Sequence, residues 1–455
     1  MSDTISHALL GAILDALALP RTASGRVAFS DEDRLPSCFA VSELAAASIA
    51  AACLSVSELV GVYDVAPPVA VSHRLASLWF GWSIRPLGWE MPTPWDAIAG
   101  DYQVRDGWIK LHTNAPHHRA AALGVLGCAP NRAAVAACVA QWHGDALEAA
   151  IIAAGGCAAR LRTIEQWSDH PQGIAAAHEP LILWDTPAAP GDGAWRPTPG
   201  RPLAGLRVLD LTRVLAGPVA TRFLAGFGAD VLRIDPPDWD EPAVAPEVTL
   251  GKRCARLDLR TAGGRASLAA LLGRADILVH GYRSDALDRL GFGAAERQAI
   301  RPGLIDISLD AYGHSGPWSR RRGFDSLVQF SCGIAASGQV WRGADRPVSL
   351  PVQALDHATG YLLAAAAVRA LIARTTGAGA TAARLSLART AKLLVDHPGE
   401  PMTGDMPPPD DADYAPDVEP TAWGPAQRLR PPAVIAGHPM RWDRPAVRLG
   451  SDSAE

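Results

Sequence analysis

The chain has 455 residues, 48% of them hydrophobic and 20% charged, enough for two or three domains with sizeable cores. Its net charge of −5 excludes a general basic field for nucleic acid, so an anionic ligand would need a local basic patch. Seven scattered cysteines with no C-x-x-C pair fit reduced thiols in a cytoplasmic protein better than disulfides or a zinc site.

The N-terminal MSDTISHALLGAILDALAL lacks a basic n-region and reads as a short amphipathic helix, not a signal peptide. Residues 1–38 receive no other assignment. The alanine-rich stretch from Ser42 predicts a helix, and no apolar run is expected to span a membrane. Residues 1–97 thus form a helical N-terminal segment. Residues 98–182 predict a small α+β domain. In it, GDYQVRDGWIKLHTN makes a hairpin turning at Asp106-Gly107, and helices follow near 117–126, 131–142 and 145–154. The three histidines of HTNAPHHR have no obvious metal geometry, so no metal is expected; His117 or His118 is a candidate to face substrate.

A Pro-rich linker occupies 183–200. Residues 201–398 alternate strand and helix. RVLDL (207–211), ADVLRID (229–235), DILVH (276–280) and GLIDISL (303–309) are short apolar strands separated by helical stretches, one of them near 262–273. This rhythm predicts an α/β, doubly wound parallel sheet of Rossmann-like type. LPVQALDHATGYLLAAAAVRAL (350–371) then places Asp356 at the start of an alanine-rich helix, where N–H groups and the macrodipole favour an anion; simple N-capping is the bland alternative. Residues 399–455 hold a Pro-rich loop and a closing segment.

A weak internal repeat lays 42–76 over 356–390, each an Ala-rich helix, a loop and a short strand. In that register Ser42 falls opposite Asp356, and the first copy lacks the carboxylate.

PLAGLRVLDLTRVLAGPVATRFLAGFGADVLRIDPP, GKRCARLDLRT, ADILVHGYRSDALDRLGFG, LIDISLDAYGHSGPW and GFDSLVQFSCGIAASG occur in that order. Together they resemble the class III coenzyme A transferases, the CaiB/BaiF or formyl-CoA transferase family, over about 200 residues. The resemblance implies that Asp356 is the nucleophile. It puts Arg213, Leu215 and Ala216 of the 212–218 loop against CoA, and Arg283 and Arg289 near the nucleotide phosphates, with CoA a substrate and no permanently bound cofactor. It implies acyl-CoA and a small carboxylic acid as partners, with no nucleic acid or membrane, and a homodimer whose close-packing faces would be the Ala-rich helices at 43–58 and 358–373. Here the small domain precedes the large one, as though the back half of one family member were joined to the front half of another.

The implied chemistry has the Asp356 carboxylate attack an acyl-CoA carbonyl, giving an anhydride and then an aspartyl-CoA thioester. Asp356 is expected to be ionised near neutral pH, so no base is required, and its helix N–H groups to serve the oxyanion. His357 is a candidate hydrogen-bond donor. Two departures from the family stand out: Asp285 adds negative charge beside Arg283, and SIRPLGWEMPTPWDAIAG has no glycine run to cover the site. An acyl-CoA racemase is an alternative, although Phe324 of Gly323-Phe324-Asp325 stands where racemases carry a histidine. A dinucleotide oxidoreductase with Asp235 on the ribose lacks G-x-G-x-x-G. A catalytically inactive CoA-binding protein is the third alternative.

Overall fold

The computed structural model describes residues 2–31, 33–185, 195–282, 285–377 and 381–454. Its central sheet has seven strands. In spatial order they are Lys252–Arg256, Asp230–Asp235, Arg207–Leu211, Ile277–His280, Ile305–Asp310, Ala382–Ser386 and Leu183–Trp184. The first six are mutually parallel and the last is antiparallel. Strands buried on both faces read as continuous apolar runs, which is why RVLDL and ILVH were legible. The sheet order reverses between Arg207–Leu211 and Ile277–His280, and at such a switch point the loops at the strands' carboxyl ends splay to admit a ligand.

Residues 1–97 do not fold apart. Strand Val27–Ser30 pairs in parallel with Val69–Ser72, and Ala433–Ile435 adds antiparallel to the far side of that strand. This arrangement repeats the far end of the large sheet, where Ile305–Asp310 pairs with Ala382–Ser386 and Leu183–Trp184 adds antiparallel. The exchange is reciprocal. The strand that follows the small domain joins the later copy's sheet, and the strand near the C-terminus joins the earlier copy's. Between the two units, helix Val41–Gly61 packs along helix Ala354–Thr376, with most residues of both buried. Each fully buried leucine there contributes about 1.5–3 kcal/mol.

Two expectations change. Val41–Gly61 is long and apolar enough to cross a membrane, yet here it is a buried core helix. The faces expected to form a homodimer are consumed by pairing within the chain.

The repeat also shifts by one residue at its helix. Ala40 before the first helix has φ −75°, ψ 59° and Gln353 before the second has φ −73°, ψ 64°. Each is followed by the same tight turn, Val41 N–H to Phe39 O and Ala354 N–H to Val352 O, both 2.8 Å. Glu43, not Ser42, is therefore the counterpart of Asp356, each being the third residue of its helix. Arg34 Nε donates to Glu43 at 2.8 Å, and both side chains are buried, so this second carboxylate is already neutralised.

The small domain carries an antiparallel sheet of Gly100–Val104, Gly107–Leu111 and Ala158–Arg160 beneath helices Pro116–Leu126, Arg132–Val139 and Gly144–Ala153. It docks on the large unit through Arg162 N–H to Phe330 O (3.0 Å) and Arg321 to Glu148 (3.0 Å). A second cross-link ties three distant segments. Buried Glu247 accepts from Ser83 N–H (3.0 Å), from Arg222, and from Arg428 (3.2 Å). Burial pushes its carboxyl up, but the two guanidiniums prevail and hold it below its usual value.

Candidate active site

Asp356 lies two residues inside helix Ala354–Thr376 and is not its N-cap. The helix start is served instead by Asp325, from helix Asp325–Ser331. Its Oδ2 accepts Leu355 N–H at 2.9 Å and Asp356 N–H at 3.1 Å, and Gln329 Nε2 donates to its Oδ1 at 2.5 Å. Those helix N–H groups are occupied and do not face an incoming oxyanion. Burial first, and then the Asp325 charge, raise Asp356 well above the ordinary carboxylate value. Burial likewise raises Asp325 to about 6. The expectation of a freely ionised Asp356 is thus corrected: the two acids lie buried beside each other, and each holds its proton to higher pH than an ordinary carboxylate.

The 212–218 loop approaches this pair from strand Arg207–Leu211. Its root is fixed by buried Asp210, which accepts Thr212 N–H (2.9 Å), Thr221 Oγ1 (2.5 Å) and Lys252 Nζ (3.0 Å). Val214 stands at φ +63°, a conformation a β-branched residue rarely adopts, and its N–H is held by Glu241 at 2.9 Å. Backbone strain of this kind is retained where surrounding structure enforces it, commonly at ligand-binding loops. The loop comes close to the Asp356 helix because residue 360 is glycine. A Cβ there would meet Ala216 O at 2.5 Å and Val219 Cβ at 2.8 Å.

Two cavities meet at Asp356, sharing Val214, Leu215, Trp239 and Phe324. One, of about 400 Å³, takes its walls from the 212–216 loop, Tyr282, Ala286 and the small domain's His117 and His118, and carries Arg213, Arg321 and Arg322. The Arg213 guanidinium lies over Trp239 (4.6 Å) and Tyr282 (5.6 Å), and among the described residues it has no carboxylate partner. The other, of about 300 Å³, is walled by Trp82, Trp95, Asp96, His112, Asn114 and Asp325 among others. Phe324 separates the two, stacked on His112 with ring centroids 3.8 Å apart. It offers no group for proton exchange.

Asp356, Arg213, Leu215 and Ala216 are therefore brought together. Arg289 is not: it is exposed, pairs with Asp285 one helical turn away and lines neither cavity. Arg283 lies outside the described residues. His357 stacks on Phe80 at 5.1 Å away from both cavities, and burial lowers its pKa to about 3, so it is a packing residue. The segment without a glycine run places Thr93, Pro94, Trp95 and Asp96 in the cavity that reaches Asp356, together with His112 of the same chain. Among the described residues no cluster of metal ligands occurs. Asp325 was missed as a site residue because its partner is 31 positions away. The signal that could have found it was the acid of Gly323-Phe324-Asp325, read above only for its missing histidine.

Residues 203–420 match CoA-transferase family III. Acetyl-coenzyme A transferase nodX of Hypoxylon pulicicidum is 36% identical over 208 residues, covering 44% of this chain and 34% of that protein. Probable fatty acyl-CoA transferase Rv3272 of Mycobacterium tuberculosis is 32% identical over 190 residues, 39% of this chain and 48% of that one. Succinyl-CoA:glutarate CoA-transferase of Mus musculus is 32% identical over 211 residues, 42% and 48% respectively. The chain spans between 34% and 48% of the length of these curated relatives. The family resemblance read from the motifs is borne out for this stretch.

Proposed function

We propose, with the match of residues 203–420 to CoA-transferase family III as the premise, that this chain moves CoA from an acyl-CoA thioester to a carboxylic acid. The observation that carries the reading is the placement of Asp356 where a cationic cavity and a carboxylate-and-aromatic cavity meet. CoA is polyanionic, so it enters by the side bearing Arg213, Arg321 and Arg322, leaving the other side for the acyl group. The large sheet, in the strand order of Rossmann-like folds, presents its switch point to the nucleotide.

Ionised Asp356 attacks the thioester carbonyl, giving an aspartyl–acyl anhydride and CoA thiolate. The thiolate attacks the aspartyl carbonyl, releasing the donor acid and leaving an aspartyl-CoA thioester. The acceptor carboxylate attacks that carbonyl and expels the thiolate, which takes the new acyl group from the second anhydride and restores Asp356. No proton is consumed over the cycle. Pro94, Trp95 and His112 wall the acyl side, which reduces the access of water that would hydrolyse the anhydride.

All parts of the site come from one polypeptide, so the reading needs no second copy. Seven free cysteines, four of them buried, support a cytoplasmic setting. The test is covalent trapping: after incubation with an acyl-CoA, hydroxylamine should convert Asp356, and only that residue, to a hydroxamate found by peptide mapping. Label elsewhere, or full turnover by Asp356→Ala, would sink the reading.

A further inference from the structure

The acyl-side cavity has a chemistry of its own. Three indoles, Trp82, Trp95 and Trp239, and the Phe324 ring line it, alongside aliphatic residues such as Leu215 and Val244. Trp82 and Trp95 remain 40% and 44% exposed, with Trp95 edge-on to His112, leaving apolar ring surface open to a ligand. Among the described residues no lysine or arginine lines this cavity, in contrast to the three arginines across Phe324. His112 is the one basic group, and burial lowers its pKa to about 3, which leaves it neutral. The charged groups that do line it are acids: Asp96, Asp240, Glu241 and the Asp325–Asp356 pair. Glu241 is already matched by buried Arg233, and Asp96 by Arg119 at 3.7 Å and Thr113 Oγ1 at 2.7 Å, so neither cation is left for a ligand.

We propose that the acyl group carried by this enzyme is a compact, uncharged, apolar one, and that acids with a second carboxylate are rejected. This rests on the CoA-transferase reading above. A distal carboxylate placed among these indoles would lose its hydration, find no lysine or arginine in the lining, and face other carboxylates. A methyl terminus would instead cover the exposed tryptophan faces. At about 300 Å³ the cavity lies at the small end of ligand sites, which favours short aliphatic or single-ring acyl groups.

Identity exchange tests this without knowledge of the natural pair. The full-length protein is given hexanoyl-CoA with isotopically labelled hexanoate, or adipoyl-CoA with labelled adipate. A third arm uses the thioester and acid of similar length ending in trimethylammonium. Label entering the thioester is read by mass spectrometry. Hexanoyl exchange should exceed adipoyl exchange in kcat/KM by about tenfold or more. Adipoyl or trimethylammonium exchange equal to or faster than hexanoyl would overturn the substrate class while leaving the transferase reading intact. No exchange in any arm, with no hydroxamate at Asp356, would overturn the transferase reading itself. Trp95→Arg places a cation at a half-exposed position of the cavity wall. It should narrow or invert the preference for hexanoyl. An unchanged ratio in a folded variant would show that this cavity does not select the acyl group.

Discussion

Asp325 Oδ2 accepts the backbone N–H of Asp356 at 3.1 Å, so one carboxylate caps the helix from which the other projects. The same bond that fixes the position of Asp356 keeps a second negative charge beside it. Because Asp356 must be ionised to attack, activity should rise with pH as the pair loses its protons. Asp325→Asn keeps an oxygen for the two N–H donors and removes the charge. The acid limb of its kcat/KM profile should move to lower pH, and a limb that stays in place would refute the coupling. Stability follows the opposite course. A carboxyl raised to about 6 favours the fold fully below its ordinary value of 3.8, and that contribution is lost as pH rises through about 6. Wild type should therefore lose stability relative to Asp325→Asn between about pH 4 and about pH 7 by denaturant titration.

Arg213 and Arg289 separate on CoA affinity. Arg213→Ala removes a cation lacking a carboxylate partner from the cavity wall and should weaken CoA binding by about tenfold or more in calorimetry. Arg289→Ala removes one partner of an exposed ion pair and should leave affinity nearly unchanged. Equal losses would return Arg289 to the site.

Gly360→Ala tests the approach of the loop to the Asp356 helix. The added Cβ would strike Ala216 O and Val219, so either the helix or the loop must shift. A cost of about 1–3 kcal/mol is expected, read as a lowered Tm. Activity at a temperature where the variant is fully folded should fall further than the folded fraction does, because Ala216 lines the cavity that bears Arg213.

Assembly is decided by scattering and complementation. The two Ala-rich helices pack on each other, and Asp356 is covered by the small domain of its own chain, so light scattering should give the mass of one chain. Mixing Asp356→Asn with a chain whose small domain is disabled, then unfolding and refolding them together, should restore no activity. Recovery would show that sites form between chains.

The parallel sheet was legible wherever strands are apolar on both faces. Arg207–Leu211 and Ile277–His280 coincide with the runs read from sequence to within a residue. Lys252–Arg256 entered the sequence reading only within a family motif and not as a strand. In fact Lys252 is fully buried against Asp210, a pairing that no local pattern displays. The position of Asp356 on a helix was readable from its neighbours; its protonation was not, since that depends on Asp325 across the fold. The one-residue slip that set Ser42 against Asp356 has a related cause. Alanine runs carry no landmark for register, and the matching turn at Ala40 and Gln353 exists only in three dimensions.

The reciprocal strand exchange between two unequal units inside one polypeptide changes what a mutation can do. In a symmetric pair of identical chains every substitution is duplicated and both sites must tolerate it. Here Asp356 and Glu43 occupy matched helix positions but are encoded separately, and each is free to change alone. Glu43, clasped by Arg34, is what such a position becomes once the chemistry is carried by the other copy: a structural ion pair whose replacement should be felt as stability and not as turnover.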